Sequence, residues 1–221
     1  MFGLGFTSQN DKVAYIGQQQ PECLADCPQG IVAGTKVATP QGWRVVEAVA
    51  PGDQVLTFDG GMQTVVQVKR EVIYANAETD TPESWPLTVP ADALGNAAPL
   101  TLMPKQAVLV ESDTAESVFS DPFAMIPAEA LDGFRGITRC KPHGRFEVVV
   151  IQFARDEVIF ANVGALFFCP RAVDMLELAT EPADYNVMPL EQADLLVSFL
   201  EEEDAGSVSL DEAKTVFNAA A

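Results

Sequence analysis

Short apolar runs with β-type residues, separated by turns, dominate the chain from residue 31 to about residue 178, and in QVLTF and MQTVVQVKREVIY apolar and polar residues alternate. This two-residue period predicts half-buried β-strands, because successive side chains of a strand point to opposite faces. Turn sequences separate the runs, among them Pro51-Gly52-Asp53 and Asp59-Gly60-Gly61, and the latter is typical of a hairpin. The predicted strands lie in IVAGTKVAT, WRVVEAV, QVLTF, MQTVVQVKREVIY, PLTLM, AVLVE, FEVVVIQFA and EVIFANV, and Arg155-Asp156 is predicted to form a tight hairpin turn between the last two. Many short strands between glycine and proline turns favour one mainly β domain of sandwich or barrel type.

The period changes after about residue 185. PLEQADLLVSFLEEE carries apolar residues at helical spacing, with Pro189 at a plausible first helical position. SLDEAKTVFNAA begins with Ser209 and Glu212 in capping-box spacing. The pattern therefore predicts an N-terminal arm over residues 1–29, a β domain over 30–184 and a helix–loop–helix tail over 185–221.

One long stretch of the β region carries a recognisable set of motifs. Residues 33–65 read AGTKVATPQGWRVVEAVAPGDQVLTFDGGMQTV, in which the GT, TP-x-G, PGD-x-VLT and DGG elements keep a specific order. This stretch resembles the Hint (hedgehog/intein) domain, in particular its bacterial subfamily. The resemblance continues through ADALGNAAPLTLMPKQAVLVE, MIPAEALDG and RDEVIFANVGALFFCP, and so covers about residues 30–171. It implies a compact, horseshoe-shaped all-β fold.

The resemblance also implies a chemistry. Members of the family carry out an N-to-S or N-to-O acyl shift, in which a Cys or Ser at the first residue of the domain attacks the preceding carbonyl. An amide is a poor electrophile, so the nucleophile must be intramolecular and aligned. A Thr or Ser and a His polarise that amide and protonate its nitrogen, a task suited to a group that titrates near neutrality.

The positions that would carry this chemistry are degenerate here. The family's nucleophile falls on Gly30, which has no side chain to attack with. Its SP-x-H motif falls on Met103-Pro104-Lys105-Gln106, where Met103 cannot donate a hydrogen bond and Gln106 does not titrate near neutral pH. Its DRHE-like turn falls on Ala154-Arg155-Asp156-Glu157, with Asp156 in place of the histidine, and the chain's one histidine, His143, matches no motif position. We therefore predict a catalytically inactive Hint-like domain without catalytic residues.

Two alternatives keep the enzyme class open. Cys27 lies three residues before Gly30 and is a candidate for a displaced nucleophile, although three strand residues correspond to a shift of about 10 Å. Gly30 is also a candidate for an engineered Cys-to-Gly substitution that blocks cleavage in an otherwise active domain. Met103 and Gln106 argue against this alternative, because such a substitution would not normally change all three positions. Cys23 and Cys27 form a C-x3-C pair without the partners of a zinc site, and their disulfide state is left open.

Residues 201–212, EEEDAGSVSLDE, align with an EF-hand loop. Gly206 and Glu212 fall at the turn and bidentate positions, and Glu203 and Ser209 offer further oxygens. Glu201 replaces the usual short Asp at the first position, and position five is an alanine. An acidic helical hairpin turn is the first interpretation, and a weak calcium-responsive adaptor is the alternative. No metal site or cofactor is predicted.

Charge narrows the classes of partner. The chain of 221 residues has 32 acidic and 13 basic residues, a formal net charge of −19. An acidic surface repels phosphate backbones, which disfavours nucleic acid as a partner, and the basic cluster Arg135, Arg139, Lys141 and Arg145 is interpreted as a solvated loop.

No stretch has the length of a membrane span, and the first residues do not form a signal peptide, so a cytoplasmic location is expected, with leaderless export as an alternative. We expect a protein-interaction or structural module with a protein partner, in a bacterial or phage assembly, and leave the oligomeric state open.

Overall fold

The computed structural model describes residues 29–76, 81–172 and 185–220. Cys23 and Cys27 lie outside the described residues, as do nearly all of the predicted arm over 1–29 and the end of the predicted β domain over 30–184. The described residues form strands connected mainly by turns, with helices concentrated at the C-terminal end.

The strands are short, and two of them reach ten residues. They are β1 Ile31–Val32, β2 Lys36–Thr39, β3 Gly42–Val45, β4 Gln54–Thr57, β5 Gly61–Thr64, β6 Gln67–Asn76, β7 Leu87–Val89, β8 Leu100–Leu102, β9 Ala107–Glu111, β10 Phe123–Pro127, β11 Thr138–Arg139, β12 His143–Gln152, β13 Glu157–Ala161 and β14 Ala165–Cys169. The α-helices are α1 Asp113–Phe119, α2 Leu190–Asp204 and α3 Leu210–Ala220. The predicted mainly β fold with a C-terminal helical hairpin is confirmed.

Two antiparallel sheets carry the fold. The first has the order β11-β7-β8-β1-β12-β6, and its central feature is the full ten-residue pairing of β6 with β12. The second follows the path β10-β9-β14-β13-β2-β3, with β4 paired to β13 and β5 paired to β4. The predicted hairpin at Asp59-Gly60-Gly61 is confirmed, because β4 and β5 pair from Gln54↔Thr64 to Thr57↔Gly61.

Several predicted strands divide where the chain passes between the sheets. IVAGTKVAT splits into β1 and β2 because Gly34 adopts a positive φ of 92°, and the amide of Thr35 donates back to the carbonyl of Val32. MQTVVQVKREVIY splits into β5 and β6 at Val65, which is buried and donates its amide to the carbonyl of Asp53. The two predicted segments therefore do form strands, but each is divided where the chain turns from one sheet into the other.

The predicted hairpin at Arg155-Asp156 is wrong. β12 pairs with β1 and β6 in the first sheet, whereas β13 pairs with β14, β2 and β4 in the second. Residues 153–156 are therefore a corner between sheets. β13 is apolar at four of its five positions and lies inside the second sheet, whereas the apolar residues of β12 are confined to Phe146 and residues 148–151 and pack in the first sheet.

The helical hairpin packs on the β region and shares its core. Ala193 and Leu196 of α2 and Ala213 and Phe217 of α3 belong to the same hydrophobic cluster as the buried residues of both sheets. The ring of Phe217 lies edge-on to Phe119 of α1, with centroids 5.3 Å apart. Burial of these apolar faces, rather than helix propensity, stabilises helices of this length.

Candidate functional site

Gly30 lies immediately before β1 and is buried against β12. A Cβ built on Gly30 would lie 2.3 Å from Cγ1 of Val148, 3.2 Å from Cγ2 of Val150 and 3.5 Å from the carbonyl oxygen of Val149. Van der Waals contact between carbons requires about 3.5–4.0 Å. The space in which a side chain at residue 30 would begin is therefore filled by the valines of β12.

Met103 follows β8 and fills the same region. It is 1% exposed and clusters with Ile73 and Val148, on which Gly30 also lies. The strand pairing also places Gly30 near Met103. Ile31, which follows Gly30, pairs with Leu102, which precedes Met103. The structure thus brings two of the four candidate positions together, and what joins them is an apolar contact surface.

Gln106 is held rigidly by backbone partners. Its side chain is buried, and Nε2 donates to the carbonyl oxygens of Ala107 at 2.9 Å and of Phe168 at 3.0 Å. The backbone N–H of Gln106 donates to the carbonyl of Met103 at 3.0 Å, and its backbone carbonyl accepts from the N–H of Ala128 at 2.9 Å. Gln106 therefore connects β9 to β14, and its side-chain donors are used for that.

Asp156 lies in the corner between β12 and β13 and is 8% exposed. Its Oδ1 accepts a hydrogen bond from the amide of Arg171 at 2.9 Å. The carbonyl of Arg171 in turn accepts from Nε2 of Gln152, at 3.1 Å. Asp156 thus fixes the point at which the chain leaves β14, a role that a carboxylate fills by accepting from backbone N–H groups.

The two ends of the motif-bearing segment contact one strand. Gly30 lies against Val148 and Val150 of β12, and Arg171 lies against Gln152 and Phe153. These contact points are separated by two to five strand residues, or roughly 7 to 17 Å. The entry and exit of the segment are therefore brought close, although residues 30, 103, 106 and 156 do not form one hydrogen-bonded cluster.

The other candidates are placed elsewhere. His143 is the exposed first residue of β12, five residues from Val148, which corresponds to about 17 Å along a strand. Cys27, the candidate displaced nucleophile, lies outside the described residues. Arg135 and Arg139 of the basic cluster make ion pairs, with Asp204 and Asp132 respectively.

The EF-hand alignment does not coincide with a loop. α2 continues to Asp204, so the first four of the twelve aligned residues are helical. Glu203 accepts hydrogen bonds at Oε1 from Oγ of Ser112 at 2.8 Å and from the amide of Thr114 at 2.7 Å, and so caps α1. A calcium loop requires its early positions to wrap around the ion. Within the described ranges, no group of three or more His, Cys, Asp or Glu side chains is placed to hold a metal.

Glu157 is a buried carboxylate that sequence reasoning missed. It is 3% exposed, lies opposite Cys169 across β13 and β14, and accepts from Nε of Arg155 at 3.1 Å. Burial raises the pKa of the Cys169 thiol far above its usual range, and the nearby charge of Glu157 raises it further. Because the thiolate is the nucleophile of cysteine chemistry, Cys169 is placed as an inert core residue.

The chain is similar to known proteins of one family. The Hint domain family model matches residues 30–166. A splice-inactive variant of the AceL NrdHF class 3 split intein is 11% identical, with a TM-score of 0.45 and coverage of 66% of this chain and 100% of that chain. A bacterial intein-like domain from Clostridium thermocellum is 12% identical, with a TM-score of 0.47 and coverage of 64% and 99%. The gp41-1 intein is 14% identical, with a TM-score of 0.40 and coverage of 63% and 98%.

No curated protein matches the chain. The helices that the structure describes include none with the length and apolar character required to cross a membrane.

Proposed function

The chain belongs to the Hint domain family, and from this premise we propose that it is a member that no longer cleaves its own backbone and that serves as a protein-interaction module. The family's acyl shift needs a nucleophilic side chain at the first residue of the domain, and that residue is Gly30. The proposed partner is a protein, in a bacterial or phage assembly.

One observation carries the proposal. The volume beside Gly30 is occupied by Val148, a fully buried residue whose Cγ1 would be 2.3 Å from an added Cβ. A degenerate active site that had merely lost its nucleophile would retain space for one. Here the neighbouring strand has filled that space, so the local packing is adapted to glycine.

The surrounding positions support the same conclusion. Met103 contributes to the apolar cluster around Val148, and the amide of Gln106 donates to two backbone carbonyls. Met103 has no side-chain donor, and the side-chain N–H groups of Gln106 are used in these two hydrogen bonds. Asp156 is used to hold Arg171. The family positions thus contribute to folding, which favours retention of the scaffold for a purpose other than cleavage.

The experiment that tests the proposal measures intact mass. Purified chain is incubated with a thiol or with hydroxylamine, which trap a thioester or ester formed at the start of the domain. We expect the full-length mass to persist. A fragment pair separated at the bond between Gln29 and Gly30 would overturn the proposal. In that event a Cys27→Ala variant, which has no nucleophilic side chain at this position, would show whether Cys27 acts as a displaced nucleophile, because the fragments would disappear with it.

A further inference from the structure

We propose that an apolar groove on the second sheet, which we call the Phe58 groove, binds a peptide segment of the partner in which aromatic or aliphatic residues are interspersed with lysine or arginine. This inference rests on the proposed function, for which it names the surface and the chemistry of the partner. The groove is lined by the separate apolar cluster of β9, β10 and β14 and, at its borders, by residues of the main core such as Val110 and Leu200.

The strand pattern shows that this cluster is unusual. In β9 and β14, Val108, Val110, Ala165 and Phe167 belong to the main core. The alternate residues form a separate apolar cluster, made up of Ala107, Leu109, Met125, Val158 and Phe168 with the partly buried Phe58, Phe123, Leu166 and Tyr185. An antiparallel sheet with one buried face normally turns polar residues outward. Among the described residues, Phe58, Phe123, Leu166 and Tyr185 of this cluster are only partly buried, and apolar surface of this kind is typical of an interaction site.

Phe58 lies at the centre of this cluster. Its ring is edge-on to Phe123, with centroids 5.0 Å apart, and tilted against Phe160, with centroids 6.2 Å apart. Two adjoining hollows open on either side, with volumes of about 500 and 660 Å³, and both are lined by Phe58, Leu109 and Phe123. The Phe58 groove comprises these two hollows, which share three lining residues. Each volume is within the range of clefts that hold a ligand or several side chains.

The rim of the groove is acidic. Among the residues that the structure describes, five carboxylates line the two hollows, those of Asp59, Glu111, Asp113, Asp121 and Glu203. Arg135 is the one positively charged residue in this described lining, and its guanidinium is already paired with both oxygens of Asp204. The apolar floor therefore lies in a negative field, and the molecule as a whole carries a net charge of −19.

Charge complementarity selects the occupant. An acidic peptide, a second acidic copy of this chain or a phosphate backbone would meet like charge at the rim, which opposes association. A segment with lysine or arginine beside its apolar residues would satisfy both parts of the groove. The apolar side chains would fill the hollows beside Phe58 and Phe123, and the basic side chains would reach Glu111 and Asp121.

The test uses the full chain and a defined probe. The probe is a fluorescein-labelled peptide of about twelve residues in which Phe and Leu alternate with Lys, long enough to span about 40 Å when extended. Two comparison peptides replace Lys by Glu, or Phe and Leu by Ser. We expect fluorescence anisotropy to give an affinity for the first probe at least about tenfold higher than for either comparison, and weaker binding at high salt.

A matched pair of variants locates the site. Glu111→Lys with Asp121→Asn changes the rim charge and retains an acceptor for the amide of Phe123, which Asp121 holds at 2.9 Å. Glu212→Lys with Asp211→Asn makes the same change in net charge on exposed positions of α3. We expect the first pair to weaken binding about tenfold or more and the second to change it less than about twofold. Amide NMR shifts are expected along β9, β10 and β14 and at Phe58.

The outcomes are distinguishable. Equal loss in both variant pairs, or shifts confined to α3 or β6, would overturn the assignment of the groove. Binding that does not differ among the three peptides would overturn the stated chemistry. Concentration-dependent self-association with shifts at the same amides would make a second copy the occupant and would also overturn it. None of these results affects the intact-mass experiment, which tests the loss of cleavage by itself.

Discussion

Gly30 and Val148 share one space: the Cβ that Gly30 lacks would lie 2.3 Å from Cγ1 of Val148. Val148 is fully buried on the ten-residue strand β12, which is paired on both sides, so it has little freedom to move away. Its χ1 angle is also restricted, because it is β-branched. The missing side chain and the filling side chain therefore form one packing unit, and we expect substitutions at the two positions to be coupled.

The first prediction concerns this coupling. Gly30→Ala forces Val148 or the backbone of β1 to shift, and we expect it to lower the free energy of unfolding by about 1–3 kcal/mol. Adding Val148→Ala makes room for the new methyl group. The double variant should therefore be more stable than the sum of the two single changes, by about 0.5–3 kcal/mol. Urea unfolding of the four proteins of the cycle measures this energy.

Val150 provides the control for that cycle. Its Cγ2 would lie 3.2 Å from the added Cβ, a contact that a small shift relieves. Val150→Ala combined with Gly30→Ala should therefore show a smaller coupling energy than the combination with Val148→Ala. Equal coupling for the two valines would contradict the specific relationship between Gly30 and Val148.

The second prediction concerns Gln106. Gln106→Glu replaces the two N–H donors to the carbonyls of Ala107 and Phe168 by a carboxyl with one O–H donor when protonated and none when ionised, and we expect a loss of stability of about 2 kcal/mol or more in the ionised form. Burial raises the pKa of the introduced carboxyl above its unfolded value, so the folded state holds the proton more tightly. The stability of the variant should then fall as pH rises through and above the unfolded pKa of about 4.3.

Urea unfolding of wild type and variant at about pH 5 and about pH 8 tests the direction of this pH dependence. The difference between the two urea midpoints, which we call the gap, should be wider at the higher pH. Gln67→Glu, on an exposed residue of β6, is the control and should leave the gap nearly constant. A gap for Gln106→Glu that is the same at both values would show that the position is not buried as described.

The third prediction concerns the thiols of Cys140 and Cys169. Cys140 is exposed, whereas Cys169 is buried and its pKa is raised by burial and by Glu157. In the native protein, alkylation should modify Cys140 at least about a hundredfold faster than Cys169, because Cys169 reacts only through opening of the core. Peptide mass mapping identifies the modified cysteine. Raising the pH toward 9 should leave Cys169 slow, because burial raises the pKa of its thiol. Comparable rates in the folded protein would contradict the placement of β14, whereas comparable rates in urea are expected.

The fourth prediction separates a helix cap from a calcium ligand. Glu203→Ala removes the acceptor that caps α1 at Ser112 and Thr114, and should cost about 1–2 kcal/mol of stability. Glu202→Ala, on the exposed neighbouring residue, should change stability by less than about 0.5 kcal/mol. Calcium at millimolar concentration should leave the Tm of the wild type unchanged. A rise in Tm that Glu203→Ala abolishes would instead favour calcium binding.

Part of the fold could be predicted from the sequence because its signals are local. Alternation marked β4, short apolar runs marked β9 and β12, the Asp59-Gly60-Gly61 turn marked a hairpin, and the helical period marked α2 and α3. α1 was missed because seven residues form a marginal helix, and its cap, Glu203, comes from a different part of the chain.

The features that could not be predicted from the sequence depend on pairing between residues far apart in the chain. The division of β12 and β13 between two sheets depends on which strands are left to cover each apolar face, and no local residue pattern specifies that. In the candidate site, the sequence indicated that Gly30, Met103 and Gln106 depart from the family pattern. It could not indicate that Val148 fills the vacated space, because that contact joins residues far apart in the chain.

The last prediction concerns the turn between β13 and β14. Val163 has φ of +87°, a conformation in which a β-branched side chain is strained, and its side chain is 52% exposed. Such a residue stores of order 1–3 kcal/mol, of which the greater unfolded-state freedom of glycine would offset about 0.5–1 kcal/mol. Val163→Gly should therefore raise the free energy of unfolding by about 1 kcal/mol. Val72→Gly, at an equally exposed strand position, should lower it by a similar amount, since glycine weakens a strand. Urea unfolding of both variants measures the difference, and a loss of stability in Val163→Gly would mean that the turn is not strained.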